Sequence, residues 1–134
     1  MLLEKQLIHL LNHLSQEKSV TITLGESDIT IRVYDYASKL SLQTSVYQGG
    51  NYIPKSVRSN VSQKAVSPIP SEIITFLTID EPQFQINLNY LGRLDAVTKT
   101  GIKELLEEFT IVADRWRDYL DEQDRNDLVR VPVK

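Results

Sequence analysis

The sequence predicts an α+β fold, an antiparallel five-stranded sheet covered by an N-terminal helix and a long C-terminal helix. Apolar residues recur with a helical period at both ends of the chain. Between these ends their period changes to two, as in strands with one buried face. The 134 residues suffice for one hydrophobic core. We expect residues 1–122 to form this single domain, and residues 123–134, where charges precede Pro132, to form a flexible tail.

The opening segment, residues 2–16, is predicted to be an amphipathic helix. Leucines, among them Leu3 and Leu7, recur at helical spacing, while charged and amide side chains occupy the other side. Glu4 and Lys5 interrupt the apolar run, so we do not expect a secretory signal peptide here. No run in the sequence is long and apolar enough for a membrane span, so we expect no insertion into a membrane.

Three strands are predicted after the opening helix. Apolar residues alternate with polar ones over 20–24 and again over 29–33, and the Gly-Glu-Ser-Asp segment between them is typical of the turn of a β-hairpin. A third strand is predicted over 39–48, where alternate apolar residues share one face. The hairpin and the third strand begin the sheet.

Residues 49–71 form an irregular or weakly helical segment in this interpretation. They contain three of the five prolines and no acidic residue, and Lys55, Arg58 and Lys64 give them a charge of +3. This composition favours a mobile loop. The alternative is one short helix that begins near Pro54, because valines follow at a spacing of four residues.

Two further strands are predicted before the last helix. Residues 73–79 are rich in β-branched and aromatic side chains. From Phe84 to Tyr90 apolar residues alternate strictly with amides, so one face should lie on the core and the other in solvent. Residues 80–82 end in a proline and are predicted to form the turn between these strands.

The closing helix is predicted over residues 102–120. Its large apolar residues fall on one stripe when placed at about 100° per residue. The stripe consists of Ile102, Leu105, Leu106, Phe109, Val112, Ala113, Trp116, Tyr119 and Leu120. The opposite face carries carboxylates, and Ile111 lies there, pointing outward. Ile111 is a candidate contact residue if it joins a larger exposed patch.

The composition argues against several classes of function. A net charge of −3 is unfavourable for binding nucleic acid, whose phosphates are neutralised by Lys and Arg. The chain has no cysteine, and its two histidines, His9 and His13, lie four residues apart on the polar side of the first helix. Without a third ligand nearby in sequence, these are better interpreted as solvent-exposed side chains than as metal ligands. We find no nucleophile, acid–base or phosphate-binding motif, and therefore expect neither an enzyme nor a cofactor.

The order of elements resembles that of the class I chaperones of bacterial type III secretion. The most specific likeness lies in ELLEEFTIVADRWRDYL, where Phe109, Ala113, Trp116 and Leu120 recur as in the closing helix of that family. The preceding YLGRLD, residues 90–95, resembles the segment that leads into this helix. Small size and acidity also match the family, and its chlamydial members look the most similar.

The resemblance implies a function in the bacterial cytoplasm. Members of this family bind the N-terminal segment of a secreted protein, keep it non-globular and present it for export. Apolar grooves would take side chains of this cargo, and a sheet edge could accept a cargo strand. The apolar candidates for these contacts are Leu3, Leu7, Ile22 and Ile31. Each is equally well explained as a core residue.

The resemblance is weakest in residues 49–71. Family members dimerise through a helix at this place, whereas here the segment is polar, basic and interrupted by prolines. We therefore expect, beside a homodimer, the alternative of a heterodimer with a second small chaperone. Lys55, Arg58 and Lys64 could then contact an acidic partner.

A second interpretation is a regulatory protein that docks on a larger machine such as RNA polymerase. It would use the basic residues of the same segment or the acidic face of the closing helix. Cargo binding through apolar residues should tolerate salt, whereas docking through charges should weaken as the salt concentration rises.

Overall fold

A computed structural model describes residues 19–34, 39–62, 69, 71, 73–93 and 99–130. Its elements are β1 (Ser19–Leu24), β2 (Ser27–Tyr34), β3 (Lys39–Gln48), α1 (Lys55–Ser62), β4 (Thr75–Asp80), β5 (Gln85–Arg93) and α2 (Lys99–Arg130). The helix predicted over residues 2–16 lies outside the described residues, together with its candidates Leu3 and Leu7.

The five strands form one antiparallel sheet in the order β1-β2-β3-β5-β4. This confirms the predicted α+β class and the five-stranded antiparallel sheet. The β1–β2 hairpin closes through Gly25 and Glu26, and Gly25 has a φ of 59°, which a glycine adopts without steric cost. Phe84, predicted as a strand residue, instead ends the β4–β5 turn with a φ of 52°, and its amide donates to the carbonyl of Glu81 over 3.2 Å.

One face of the sheet carries the core. Ile29, Ile31, Leu42 and Leu88 are at most 2% exposed there, and α2 crosses this face over β3 and β2. The predicted stripe of α2 is buried throughout except for Tyr119, which is half-buried. Because each large apolar side chain contributes about 1.5–3 kcal/mol on full burial, the stripe is a principal source of the fold's stability.

The helix α1 corrects the interpretation of residues 49–71. The favoured loop is wrong for Lys55–Ser62, and the alternative of a short helix is confirmed. The carbonyl of Pro54 accepts hydrogen bonds from the amides of Val57 and Arg58, at 3.1 and 2.8 Å. Val57 is fully buried and Val61 is half-buried against the core. Packing on one face thus stabilises a helix that is too short to be stable alone.

The helix α2 is longer than predicted. It runs from Lys99 to Arg130, so the predicted bounds of 102–120 are wrong at both ends. No glycine or proline lies in the C-terminal extension, residues 121–130, and the helix ends shortly before Pro132, where the residue preceding a proline is disfavoured in the α conformation. The flexibility of residues 123–134 stays a prediction, because residues 131–134 lie outside the described part of the chain.

Candidate functional site

Within the described residues, the sheet ends at β1 on one side and at β4 on the other. Among the described strands β1 pairs only with β2, so half of its backbone donors and acceptors face away from this sheet. The side chain of Thr23 donates to Asp28 over 2.7 Å and helps to hold β1 in register with β2. An edge strand of this kind can accept a further strand from a partner.

The two apolar candidates of the described sheet lie in different environments. Ile22, on β1, is half-buried and packs partly against the core, so one side of it faces the sheet edge. Ile31, on β2, is 2% exposed. A partner could reach Ile31 only by displacing its core neighbours. Ile31 is therefore part of the core in this structure, and its contact with a partner stays a prediction.

The basic residues of α1 are not equivalent. Lys55 is exposed at the first residue of the helix. Arg58 forms a hydrogen-bonded salt bridge with Glu81 in the β4–β5 turn. The hydrogen bond to Glu81 raises the pKa of the Arg58 guanidinium. Lys64 lies outside the described residues. Of the predicted +3 charge, the charge of Arg58 is thus compensated within the chain.

Ile111 is exposed on the outer face of α2, as the helical period predicted. The residues one turn away from it are Glu107, Glu108, Asp114 and Arg115. Charged side chains therefore flank Ile111 along the helix. Among the described residues, Ile111 is not part of a larger apolar patch on this face of α2. Its contact with a partner stays a prediction.

The sheet face opposite the core was not recognised as a site from the sequence. Phe76, on β4, and Leu91, on β5, lie on this open face and are 49% and 55% exposed. A signal was present in both strands: residues 73–79 have apolar side chains on both faces, and Leu91 places an apolar residue on the amide side of the alternation. These residues border a hollow of about 120 Å³ that also contacts Arg32.

The floor of this hollow is an ordered set of amides. Gln43 donates to Asn89 over 2.9 Å, and the amide nitrogen of Asn89 donates to Thr78 over 2.9 Å and to the carbonyl of Phe76 over 3.3 Å. Asn89 is only 8% exposed. The sequence favoured solvated amides on this face, whereas Asn89 bonds within its own sheet.

Hydrogen bonds connect the C-terminal half of α2 to β3 and α1. The hydroxyl of Tyr47 donates to Asp124 over 3.3 Å, and Ser56 donates to the carbonyl of Gln123 over 3.5 Å. Burial, followed by the charge of Asp124, raises the pKa of Tyr47 to about 12. Arg117 donates to the carbonyl of Ser45 over 2.9 Å, next to the point where β3 shifts register against β5. These contacts hold α2 at a fixed place on β3.

The described part of the chain has neither a candidate metal-binding cluster nor a candidate membrane-spanning helix. No group of three or more His, Cys, Asp or Glu side chains within it could hold a metal ion. No helix among the described residues has a stretch long and apolar enough to span a membrane. The arrangement offers strand edges, an open sheet face and charged helix surfaces, which are features for contact with another polypeptide.

The fold is similar to chains of solved secretion complexes. A chain from the complex of the Yersinia pestis type III secretion chaperone SycH with a stable fragment of YscM2 aligns with a TM-score of 0.54 and 11% identity, over 82% of this chain and 95% of that chain. A chain of the heterodimeric ExoU–SpcU complex, from the type III secretion system of Pseudomonas aeruginosa, aligns with a TM-score of 0.55 and 12% identity, over 78% and 84%.

A further similar chain belongs to the HopA1–SchA chaperone–effector complex, with a TM-score of 0.55 and 12% identity over 75% of this chain and 76% of that chain. The sequence matches no protein-family model and no curated protein. At 11–12% sequence identity these comparisons show that the fold is similar. The resemblance to class I secretion chaperones, predicted from the closing helix, is confirmed at this level.

Proposed function

We propose that this chain is a type III secretion chaperone that binds the N-terminal segment of a secreted protein, keeps it non-globular and presents it for export from the bacterial cytoplasm. The observation that carries the proposal is the shared fold: 75–82% of this chain aligns with chains of complexes between secretion chaperones and their partners. The exposed edges and apolar side chains found here suit a protein that acts by binding.

The contact surface in this proposal begins at the β1 edge. An extended cargo segment can add a strand to β1, because its outward backbone groups are unpaired within the described sheet. Ile22 is half-buried beside this edge, so one part of its side chain can contact cargo while the rest packs on the core. Leu3 and Leu7, from the predicted first helix, remain proposed contacts because apolar side chains of a helix can line a groove for cargo.

We propose further that the chaperone works as one subunit of a dimer, and that the second subunit is a different small chaperone. The helix α1 supports this choice, because Val57 and Val61 contact the chain's own core and leave a polar outer face. Lys55 lies on that helix and is exposed, so it is available to an acidic partner. A homodimer of the usual family type would need apolar residues here.

Co-purification from the native organism tests the proposed function. The tagged chain is isolated at low and at high salt, and the bound proteins are identified by mass spectrometry. We expect a secreted protein, with or without a second small acidic chain, that is retained at high salt because its contacts are mainly apolar. Recovery of RNA polymerase subunits that dissociate at high salt would contradict the proposal and favour a docking regulator.

A further inference from the structure

The strand register defines which residues are neighbours on the open sheet face. Arg32, Ser41 and Leu91 lie opposite one another on β2, β3 and β5. Neighbouring strands are about 4.8 Å apart, so Arg32 and Leu91 are separated by about 10 Å across the sheet. The next row toward the other end of the face includes Asn89 and Phe76. Phe76 and Leu91 are thus diagonal neighbours.

Phe76 and Leu91 form an exposed apolar pair that can hold one side chain of a partner. Diagonal neighbours on a sheet are within reach of the same large side chain. The hollow beside them has a volume of about 120 Å³. A cavity of about 150 Å³ holds a benzene ring, so this hollow has room for an aliphatic side chain, with Phe76 and Leu91 as its apolar contacts.

The floor of the hollow is preorganised. Asn89 accepts a hydrogen bond from Gln43 and donates to Thr78 and to the carbonyl of Phe76. These bonds fix the floor before any partner arrives, so binding there needs little further ordering of side chains.

The charges on the open face are unevenly distributed. Arg32 is exposed, and within the described residues its side chain makes no hydrogen bond or ion pair. Lys39 and Arg93 oppose each other at the same end of the face, and both make other interactions. Asp28 lies toward the other end of the face. A protein of net charge −3 thus presents a cation beside an apolar pair.

We propose that this open face binds an extended acidic segment of a partner protein, in which a large aliphatic residue and a carboxylate are two positions apart. Residues at this spacing point to the same side of an extended chain, about 7 Å apart, and the long side chain of Arg32 spans the rest of the distance of about 10 Å to Leu91. The aliphatic side chain contacts Phe76 and Leu91, and the carboxylate pairs with the guanidinium of Arg32. Residues 1–18 of the chain fit less well, because their two Lys and two Glu give no net negative charge.

This inference rests on the proposed function only for the identity of the partner, and it names a surface separate from the β1 edge. Its test uses the full chain and a fluorescent peptide of about eight residues, long enough to cross the sheet when extended. Leu and Asp alternate at every second position of the peptide, with Ser between them. One control peptide carries Lys in place of Asp, and another carries Ser in place of Leu.

Fluorescence anisotropy should show binding of the Leu–Asp peptide and loss of binding for both control peptides. Arg32→Glu should raise the Kd by about tenfold or more, because an attractive contact becomes repulsive. The matched control Arg115→Glu changes an exposed cation on α2 and should leave the Kd unchanged. Phe76→Ser should weaken binding, whereas Ile111→Ser, at a residue 46% exposed on the outer face of α2, should not.

Three results would overturn the inference: no binding of the Leu–Asp peptide, equal binding of the Lys peptide, or equal effects of Arg32→Glu and Arg115→Glu. Circular dichroism of each variant checks that it is folded, and the peptide series on the unaltered chain tests the inference even if a variant does not fold. If a secreted protein is captured but the peptide does not bind, this inference alone fails. If the peptide binds as expected but no secreted protein is captured, the proposed function fails instead.

Discussion

Phe109 is the largest fully buried side chain of the core, at 0% exposure on the inner face of α2. Its replacement by Ala removes a large apolar contact and leaves a cavity. We expect Phe109→Ala to lower the free energy of unfolding by about 3–5 kcal/mol. Chemical denaturation followed by circular dichroism measures this change.

Ile111 is the matched control for Phe109, because it lies on the same helix but is 46% exposed. Ile111→Ala should change the free energy of unfolding by no more than about 0.5 kcal/mol, as is usual for surface positions. Equal losses for the two variants would mean that α2 does not present the stripe to the sheet as described.

Arg117 stabilises the irregular part of β3 by donating to the carbonyl of Ser45. Arg117→Met keeps much of the aliphatic length and removes this charged donor. We expect a loss of about 1–3 kcal/mol in the free energy of unfolding, because the carbonyl loses its partner in a half-buried place. Arg115→Met, an exposed neighbour on α2, is the control and should have almost no effect. The same loss in both variants would show that the bond to β3 is unimportant.

At the scale of elements, the contact between Tyr47 on β3 and Asp124 on α2 should make the stability depend on alkaline pH. The pKa of Tyr47 is raised from 10.0 to about 12 by burial and by Asp124. A raised pKa means that the folded state favours the neutral phenol. This stabilisation is fully present below pH 10 and is lost as the pH rises through about 12.

Tyr47→Phe removes the titrating group while retaining the ring. Denaturation at a series of pH values from 8 to about 12 should therefore show a smaller alkaline loss of stability for the variant than for the unaltered chain. Ile111→Ala, at an exposed residue of α2 that does not titrate, is the control and should leave the pH dependence unchanged. Identical pH profiles for all three proteins would show that the Tyr47–Asp124 contact does not form in solution.

The sequence predicted the stripe of α2 because the 3.6-residue period is a local property of one helix, from Ile102 to Leu120. It could not predict that Arg58 pairs with Glu81, since the two residues are brought together only by the fold. It missed Phe76 and Leu91 because alternation separates the two faces of a strand but does not tell which face other elements cover. The sequence favoured a loop where the short helix α1 forms, because the stability of α1 comes from tertiary packing.

At the scale of the whole molecule, the polar outer face of α1 predicts that the purified chain does not form a tight homodimer. Size-exclusion chromatography with light scattering should give a monomer for the isolated chain. A dimer should form when the second small chaperone, identified by co-purification, is added, because its helix would supply the apolar contacts that α1 lacks. A stable homodimer of the isolated chain would contradict the heterodimer proposal.

The central claim, that the chain holds the N-terminal segment of a secreted protein in a non-globular form, is tested most directly by limited proteolysis of the co-purified complex. Mass spectrometry then identifies which fragment of the partner stays bound. The account predicts one protected fragment from the partner's N-terminal region, and rapid digestion of the same fragment once the chaperone is removed, because an extended segment has no core of its own. Protection of a fragment that resists digestion equally well without the chaperone would show a folded partner domain and contradict the claim.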